Sequence, residues 1–268
     1  MRLAIVLLLA CGASACRGGG ARSGEVLRVV AAASLREPLD ALQAAFLREH
    51  PGVDVQAVFA SSGAAVEQLA QGAPFDVFFS ADAAHADEIV RRGLAAASSR
   101  RVVARGRLAL WIPSRVGVVP EGFDVLDDRS VRRVAIANPE TAPYGRAARE
   151  ALQAAGLWAR VQDKLVFGQD VAQAAQQAQV GADAGLIALS QAIAPAMRDG
   201  GTHWVVPAGL HGPLEQVLVL LRGTPASRAF SDFLVSDEAR TILEGYGYEG
   251  VGGWGGRRAL RRSSGQAA

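Results

Sequence analysis

The chain has 268 residues, half of them apolar, with 28 basic and 26 acidic side chains. That length allows one large domain or two small ones, and the apolar content supplies a real core, which excludes a wholly disordered chain. The formal charge of +2 misleads: Arg2, Arg17, Arg22, Arg257, Arg258, Arg261 and Arg262 lie outside residues 25–250, where 26 acids outnumber 21 basic residues. A body of that sign argues against nucleic acid as a partner.

The N-terminus reads as a targeting segment. Arg2 precedes the apolar run Leu3–Ala10, which has signal-peptide length and is too short to span a bilayer stably. Ala13 and Ala15 fit the small-x-small rule for cleavage, and Cys16 follows directly, as in a bacterial lipobox. Residues 9–11 offer a second such site ending at Cys11. The expectation is a lipoprotein-type signal at 1–16, lipidation at Cys16 with Cys11 as the alternative, and a flexible tether at 17–25. The bland alternative is ordinary cleavage, with both cysteines lost or inert. The sequence holds no other cysteine, so the body is expected to lack disulfides, thiolate metal clusters and a cysteine nucleophile. The protein is placed in the periplasm or on the extracytoplasmic face of the membrane, held by the lipid anchor. The basic tail 251–268 is expected to be a disordered extension.

Beyond the leader, strand-like and helix-like segments alternate, which predicts an α/β fold with mainly parallel strands. Strand 27–33 leads to helix 36–48 and strand 53–59; helix 64–71, strand 75–79 and helix 83–92 follow. Residues 102–112 change the rhythm, with a strand at 107–112 closed by Pro113 and a loop at 114–130. Strand 133–137, a helix from about 145 to 155, a strand at 164–167, helix 170–180 and strand 184–189 come next. Residues 204–206 suit a short edge strand, 215–221 a strand, 225–235 a helix, and a last helix starts near Ser236.

Familiar catalytic signatures are missing. There is no glycine-rich phosphate loop or dinucleotide fingerprint, and Ser190 lacks nucleophile-elbow glycines. His50, His85, His203 and His211 are not paired at metal-ligand spacing. Asp76, Asp82 and Asp87 invite an acid–base reading, but no histidine, lysine or nucleophile completes a set, and Asp82 suits the start of a helix. The chain therefore reads as a binder rather than an enzyme, with no cofactor.

Small polar residues recur where a strand ends and a helix begins. Ser34 follows the first strand; Ser61, Ser62 and Gly63 follow the second; Pro143–Gly145 and Gln169–Val171 open two further helices. Helix N-termini carry unpaired N–H groups and partial positive charge, so several converging on one cleft make an anion site without lysine or arginine. Ser34 and Ser62 would donate hydroxyls, with Ser61 and the Leu35 backbone N–H as possible additions, and Tyr144 and Val171 would present backbone N–H groups. Ordinary helix capping is the competing explanation for each serine. The Tyr144 phenol either donates or packs against the cleft wall. Asp170 is expected to cap its helix, since a carboxylate facing an oxyanion would repel it.

Together these segments resemble the periplasmic molybdate-binding proteins of ABC transporters, over about residues 26–249. The matching stretches are "VVAAASLREPLDALQAAF", "VFASSGAAVEQLAQGAPFDVFFSAD", "IANPETAPYGRAAREAL", "FGQDVAQAAQQAQVGADAGLIALS" and "FSDFLVSDEARTILEGYGY". The resemblance implies the type II periplasmic-binding-protein fold: two α/β lobes joined by two crossover strands, closing around the anion. Lobe one would be about 26–104 plus 216–250 and lobe two about 105–215, with hinges near 104–106 and 215–216. It carries oxyanion ligation onto Ser34, Ser62, Tyr144 and Val171, where the metal arrives as molybdate or tungstate and is not ligated as a cation. A tyrosine that some members use falls at Ala188 here. The implied partners are the small oxyanion and a permease with its ATPase, met by a monomer. The alternatives are a receptor for another oxyanion, such as sulfate or thiosulfate, or an accessory oxyanion sensor.

Overall fold

The computed structural model describes residues 24–251. The expected signal with its lipidation sites, the tether up to residue 23 and the tail from residue 252 lie outside the described residues. The chain opens with β1 (Glu25–Ala32), a short 3-10 turn at Ala33–Leu35, α1 (Arg36–Glu49), β2 (Val53–Ala60), α2 (Ser62–Ala70), β3 (Val77–Ser80), α3 (Ala83–Arg91) and β4 (Arg101–Gly106). It then builds β5 (Leu108–Pro113), β6 (Val134–Ala137), α4 (Pro143–Ala154), α5 (Trp158–Val161), β7 (Leu165–Gly168), α6 (Val171–Val180), β8 (Ala184–Ala188), α7 (Leu189–Ala192), α8 (Pro195–Arg198) and β9 (Gly201–Val205). β10 (Leu214–Leu220), α9 (Pro225–Leu234) and α10 (Asp237–Gly245) complete it.

The strands form two five-stranded sheets, in the orders β2-β1-β3-β10-β4 and β7-β6-β8-β5-β9. Each sheet, with its helices, is the centre of one lobe. The chain leaves the first sheet at Gly106 and returns to it in β10, where Leu214 pairs with Gly106, so the two crossings lie side by side. The expectation of mainly parallel strands is corrected here. β1 pairs in parallel with β2 and β3, and β6 with β7 and β8, but β10 is antiparallel to β3 and β4, and β5 to β8 and β9. Parallel neighbours require a helical crossover; β5 and β10 enter their sheets straight from the other lobe and so run the opposite way. The strand read at 107–112 is β5; β4, parted from it at Arg107, was not read as a strand. Exposed Arg101 and Arg105 interrupt its apolar run.

Burial explains why these segments hold. Leu27, Val29, Val30 and Ala31 of β1 are fully buried, as befits an inner strand covered on both faces. Phe46 of α1 meets Phe230 of α9 edge-to-face at 5.1 Å, fastening two helices over the first sheet. In the second sheet Trp111 is fully buried and donates its indole N–H to the Met197 carbonyl at 3.0 Å. Each such side chain contributes about 1.5–3 kcal/mol by leaving water. The parallel register places Ala32 opposite Ala60 and Ala31 opposite Phe79, so β1, β2 and β3 end at one sheet edge. The segments that follow these strands therefore start together, facing the lobe junction.

Candidate functional site

A narrow cavity at that junction is lined by Ser34, Ser61 and Ser62 from one lobe, by Tyr144, Asp170 and Val171 from the other, and by the alanines and the proline beside them. Leu35 does not line it; its side chain is fully buried in the core.

Ser34 sits in the 3-10 turn and makes no cap bond to the helix after it. Its hydroxyl is buried, the residue 1 % exposed, and has no hydrogen-bond partner. Leaving such a group unpaired costs about 1–3 kcal/mol, so it is suited to an acceptor brought in from outside. Ser61 and Ser62 divide the labour that the sequence left ambiguous. Ser61 is the N-cap of α2, accepting the Ala64 N–H at 3.3 Å. Ser62, fully buried, accepts the Ala81 N–H at 3.1 Å, which orients its oxygen and leaves its own proton free to donate.

The second lobe contributes backbone. Pro143 is the first residue of α4 and Tyr144 the second, while Val171 is the first residue of α6. First-turn N–H groups have no partner within their helix. Asp170 caps α6, accepting the Gln173 N–H at 2.9 Å. Asp82 likewise caps α3, accepting the His85 N–H at 3.0 Å. Burial would raise the Asp82 carboxyl, but the His85 hydrogen bond and charge, with Arg146, outweigh it and bring its pKa to about 2.

The Tyr144 phenol lies at the lobe crossing. A Cβ placed on Gly106 would come 2.1 Å from the Tyr144 hydroxyl oxygen and 3.1 Å from Gln216 Nε2. Glycine at 106 is thus what lets the tyrosine rest on both crossing strands. Burial pushes the Tyr144 pKa well above its ordinary value, so the phenol stays neutral.

Two residues that the sequence reading had given no role hold the turn that carries Ser34. The Tyr248 hydroxyl donates to the Ser34 carbonyl at 2.7 Å, and the Ser190 hydroxyl donates to the same carbonyl at 3.0 Å. Burial pushes Tyr248 up to about 12, keeping it a neutral donor. Ser190 comes from the second lobe and Tyr248 from near the end of the described chain, so two distant segments fix the Ser34 backbone. No sequence spacing brings them together; only their hydroxyls could have marked them. Ala188, the position onto which the resemblance carried a tyrosine of some members, is buried at the end of β8. No lysine or arginine lines the cavity, and among the described residues no group of three histidine, cysteine or acidic side chains could hold a metal cation.

Two α/β lobes joined by paired crossings around a small cleft are the architecture of type II periplasmic binding proteins. The chain belongs to the bacterial extracellular solute-binding protein family, which it matches over residues 27–249. It is 39% identical over 232 residues to the molybdate-binding protein ModA of Rhodobacter capsulatus, covering 85% of this chain and 89% of that protein. It is 29% identical over 226 residues to the putative ABC transporter substrate-binding lipoprotein YvgL of Bacillus subtilis, covering 83% of this chain and 85% of that one. The solved periplasmic molybdate-binding protein of Azotobacter vinelandii superposes with a TM-score of 0.76 at 34% identity, over 83% of this chain and 98% of the other. The chain is thus an extracytoplasmic substrate-binding component of the kind that serves ABC importers, a carrier and not a catalyst.

Proposed function

We propose that this protein captures molybdate, and tungstate with it, and delivers the ion to a membrane permease driven by an ATPase. The observation that carries the reading is the pair of buried serine hydroxyls free to donate, Ser34 and Ser62, facing the first turns of α4 and α6 across one small cavity. The relatives named for molybdate support it.

Molybdate is a tetrahedral dianion at neutral pH, so it accepts at every oxygen and donates nowhere. Ser34 and Ser62 would each give one O–H, and Tyr144 and Val171 one N–H each. In a dry site these charge-assisted bonds replace the hydration shell. The helix N-termini supply the favourable potential. A protonated phosphate would set a donor against donors and is disfavoured. Sulfate has the same charge and shape in a smaller volume, so its rejection rests on cavity size and donor placement. Tungstate is nearly isosteric with molybdate. The lobes would close through the crossings near 104–106 and 215–216, a shift of population toward the binding-competent form. Lipid attachment at Cys16, or Cys11, would keep the carrier, a monomer, beside its permease.

Calorimetric titration of the purified protein with molybdate, tungstate, sulfate and phosphate tests this. One-to-one binding of molybdate and tungstate with sulfate about a hundredfold weaker, some 2.8 kcal/mol, is the expected result. Tighter sulfate binding, or none by molybdate, would move the assignment to another oxyanion.

A further inference from the structure

The two lobes also touch along one rim of the cleft, through residues that do not belong to the donor set. Asp82 is held within its own lobe by the His85 N–H at 3.0 Å, the His85 ring Nδ1 at 2.8 Å and the Ser80 hydroxyl at 3.3 Å, all on Oδ1. Its Oδ2 receives the guanidinium of Arg146, which stands on the opposite lobe in the first turns of α4. The Asp82 side chain is 3% exposed and that of Arg146 35%. Beside this pair the Gly63 N–H donates to the Thr141 carbonyl at 2.9 Å, a backbone bond across the cleft. A Cβ on Gly63 would lie 2.7 Å from that carbonyl oxygen and 3.2 Å from His85 Nε2, so the two contacts form one cluster and only glycine allows the approach.

We propose that this cluster is a closure latch: Arg146 engages Asp82 when the lobes shut, and holds the oxyanion in without touching it. The proposal rests on reading the cavity as an oxyanion site. Asp82 keeps its own-lobe partners with the lobes apart, so it remains ionised and α3 remains capped. Arg146 has Glu150, 3.8 Å away and one turn on, as its alternative partner. Neither lobe therefore depends on the pair for its fold. The pair does change the charge beside the cavity. Asp82 immediately follows Ala81, whose N–H orients Ser62, and a bare carboxylate there would repel a dianion. Closure covers that carboxylate with a guanidinium as the dianion is enclosed, so the two events favour each other. Arg146 is on this account a positioning residue, and its contribution appears in release more than in capture.

The test is a double-mutant cycle, Arg146→Gln and Asp82→Asn singly and together, read by molybdate affinity and by the rate of release. Asparagine is as good an N-cap as aspartate, so α3 is preserved. Arg146→Gln should weaken binding about tenfold, ~1.4 kcal/mol, through faster release with little change in association. Arg146→Lys should restore part of the loss, and in the Asp82→Asn background Arg146→Gln should add almost nothing. Unchanged release from Arg146→Gln would overturn the latch. So would a loss that persists undiminished in the Asp82→Asn background and slows association, since that is direct attraction of the anion. A wild-type chain that binds none of the four oxyanions sinks the oxyanion reading alone. Small-angle scattering of the ligand-free protein then decides the latch: Arg146→Gln should enlarge the radius of gyration, and an unchanged value would overturn it.

Discussion

Lobe one meets the cavity with side chains, the hydroxyls of Ser34 and Ser62, whereas lobe two meets it with backbone, the first turns of α4 and α6. The Tyr144 phenol rests at the lobe crossing, beside the Ser34 and Tyr248 side chains, and the Val171 side chain keeps the wall apolar. Substitution is therefore expected to read the two halves differently. On lobe one a donor disappears with its side chain. On lobe two it disappears only when the backbone itself is altered.

The largest effects should come from removing donors. Ser34→Ala and Ser62→Ala should each cost molybdate binding about 1.5–3 kcal/mol, the worth of a hydrogen bond to a charged group; melting temperature should change little in Ser34→Ala and fall in Ser62→Ala, which also leaves the buried Ala81 N–H without its acceptor. Val171→Pro should cost a similar amount. Proline is tolerated at the first position of a helix, so α6 survives while its first N–H is lost. Calorimetry in which both serine variants bind like wild type would break the comparison on the lobe-one side; a fully active proline variant would break it on the other.

Next in size is a stability effect at the lobe crossing. Gly106→Ala should destabilise the protein by about 1–3 kcal/mol, because the new methyl collides with the Tyr144 hydroxyl. Adding Tyr144→Phe should recover part of that loss in thermal melts. No recovery would mean that the tyrosine does not rest on the crossing and that its phenol belongs to the cavity.

These expectations show how unevenly the site was written in the sequence. Strand-to-helix boundaries flagged Ser34, Ser62, Tyr144 and Val171, because each opens the turn or helix that follows a strand, two to seven residues on, and the sheet register then gathers those starts. Leu35 shared that boundary as a backbone donor, but it does not line the cavity, and its side chain is buried in the core. Tyr248, Ser190 and Arg146 act through contacts 214, 156 and 64 residues apart along the chain, and local patterning cannot encode those. The strand directions failed for a related reason. β5 and β10 look like any buried strand, and their antiparallel sense follows from which lobe the chain has just left.

Acid should act on lobe one's rim. The Asp82 pKa is depressed, so its stabilisation is complete above its unfolded value near 3.8 and is lost as pH falls toward about 2. A shift of that size corresponds to about 2 kcal/mol. Denaturant melts of wild type and Asp82→Asn should thus differ most above about pH 4 and converge toward pH 2. A gap that stays constant across that range would show that the carboxylate charge contributes nothing.

The smallest effect expected is also the sharpest test of the asymmetry. Val171→Ala deletes two methyl groups from the cavity wall but leaves the N–H of α6 where it was. Val171 is almost fully buried, so its truncation should lower thermal stability as any core truncation does. Binding should fall by no more than about threefold, well under 1 kcal/mol, since no hydrogen bond to the anion is lost. If Val171→Ala instead weakens binding as far as Ser62→Ala, the valine side chain holds the site's shape more strictly than the donors do. Selectivity between molybdate and sulfate would then be set by the wall of lobe two, and should narrow in that variant when the two ions are titrated side by side.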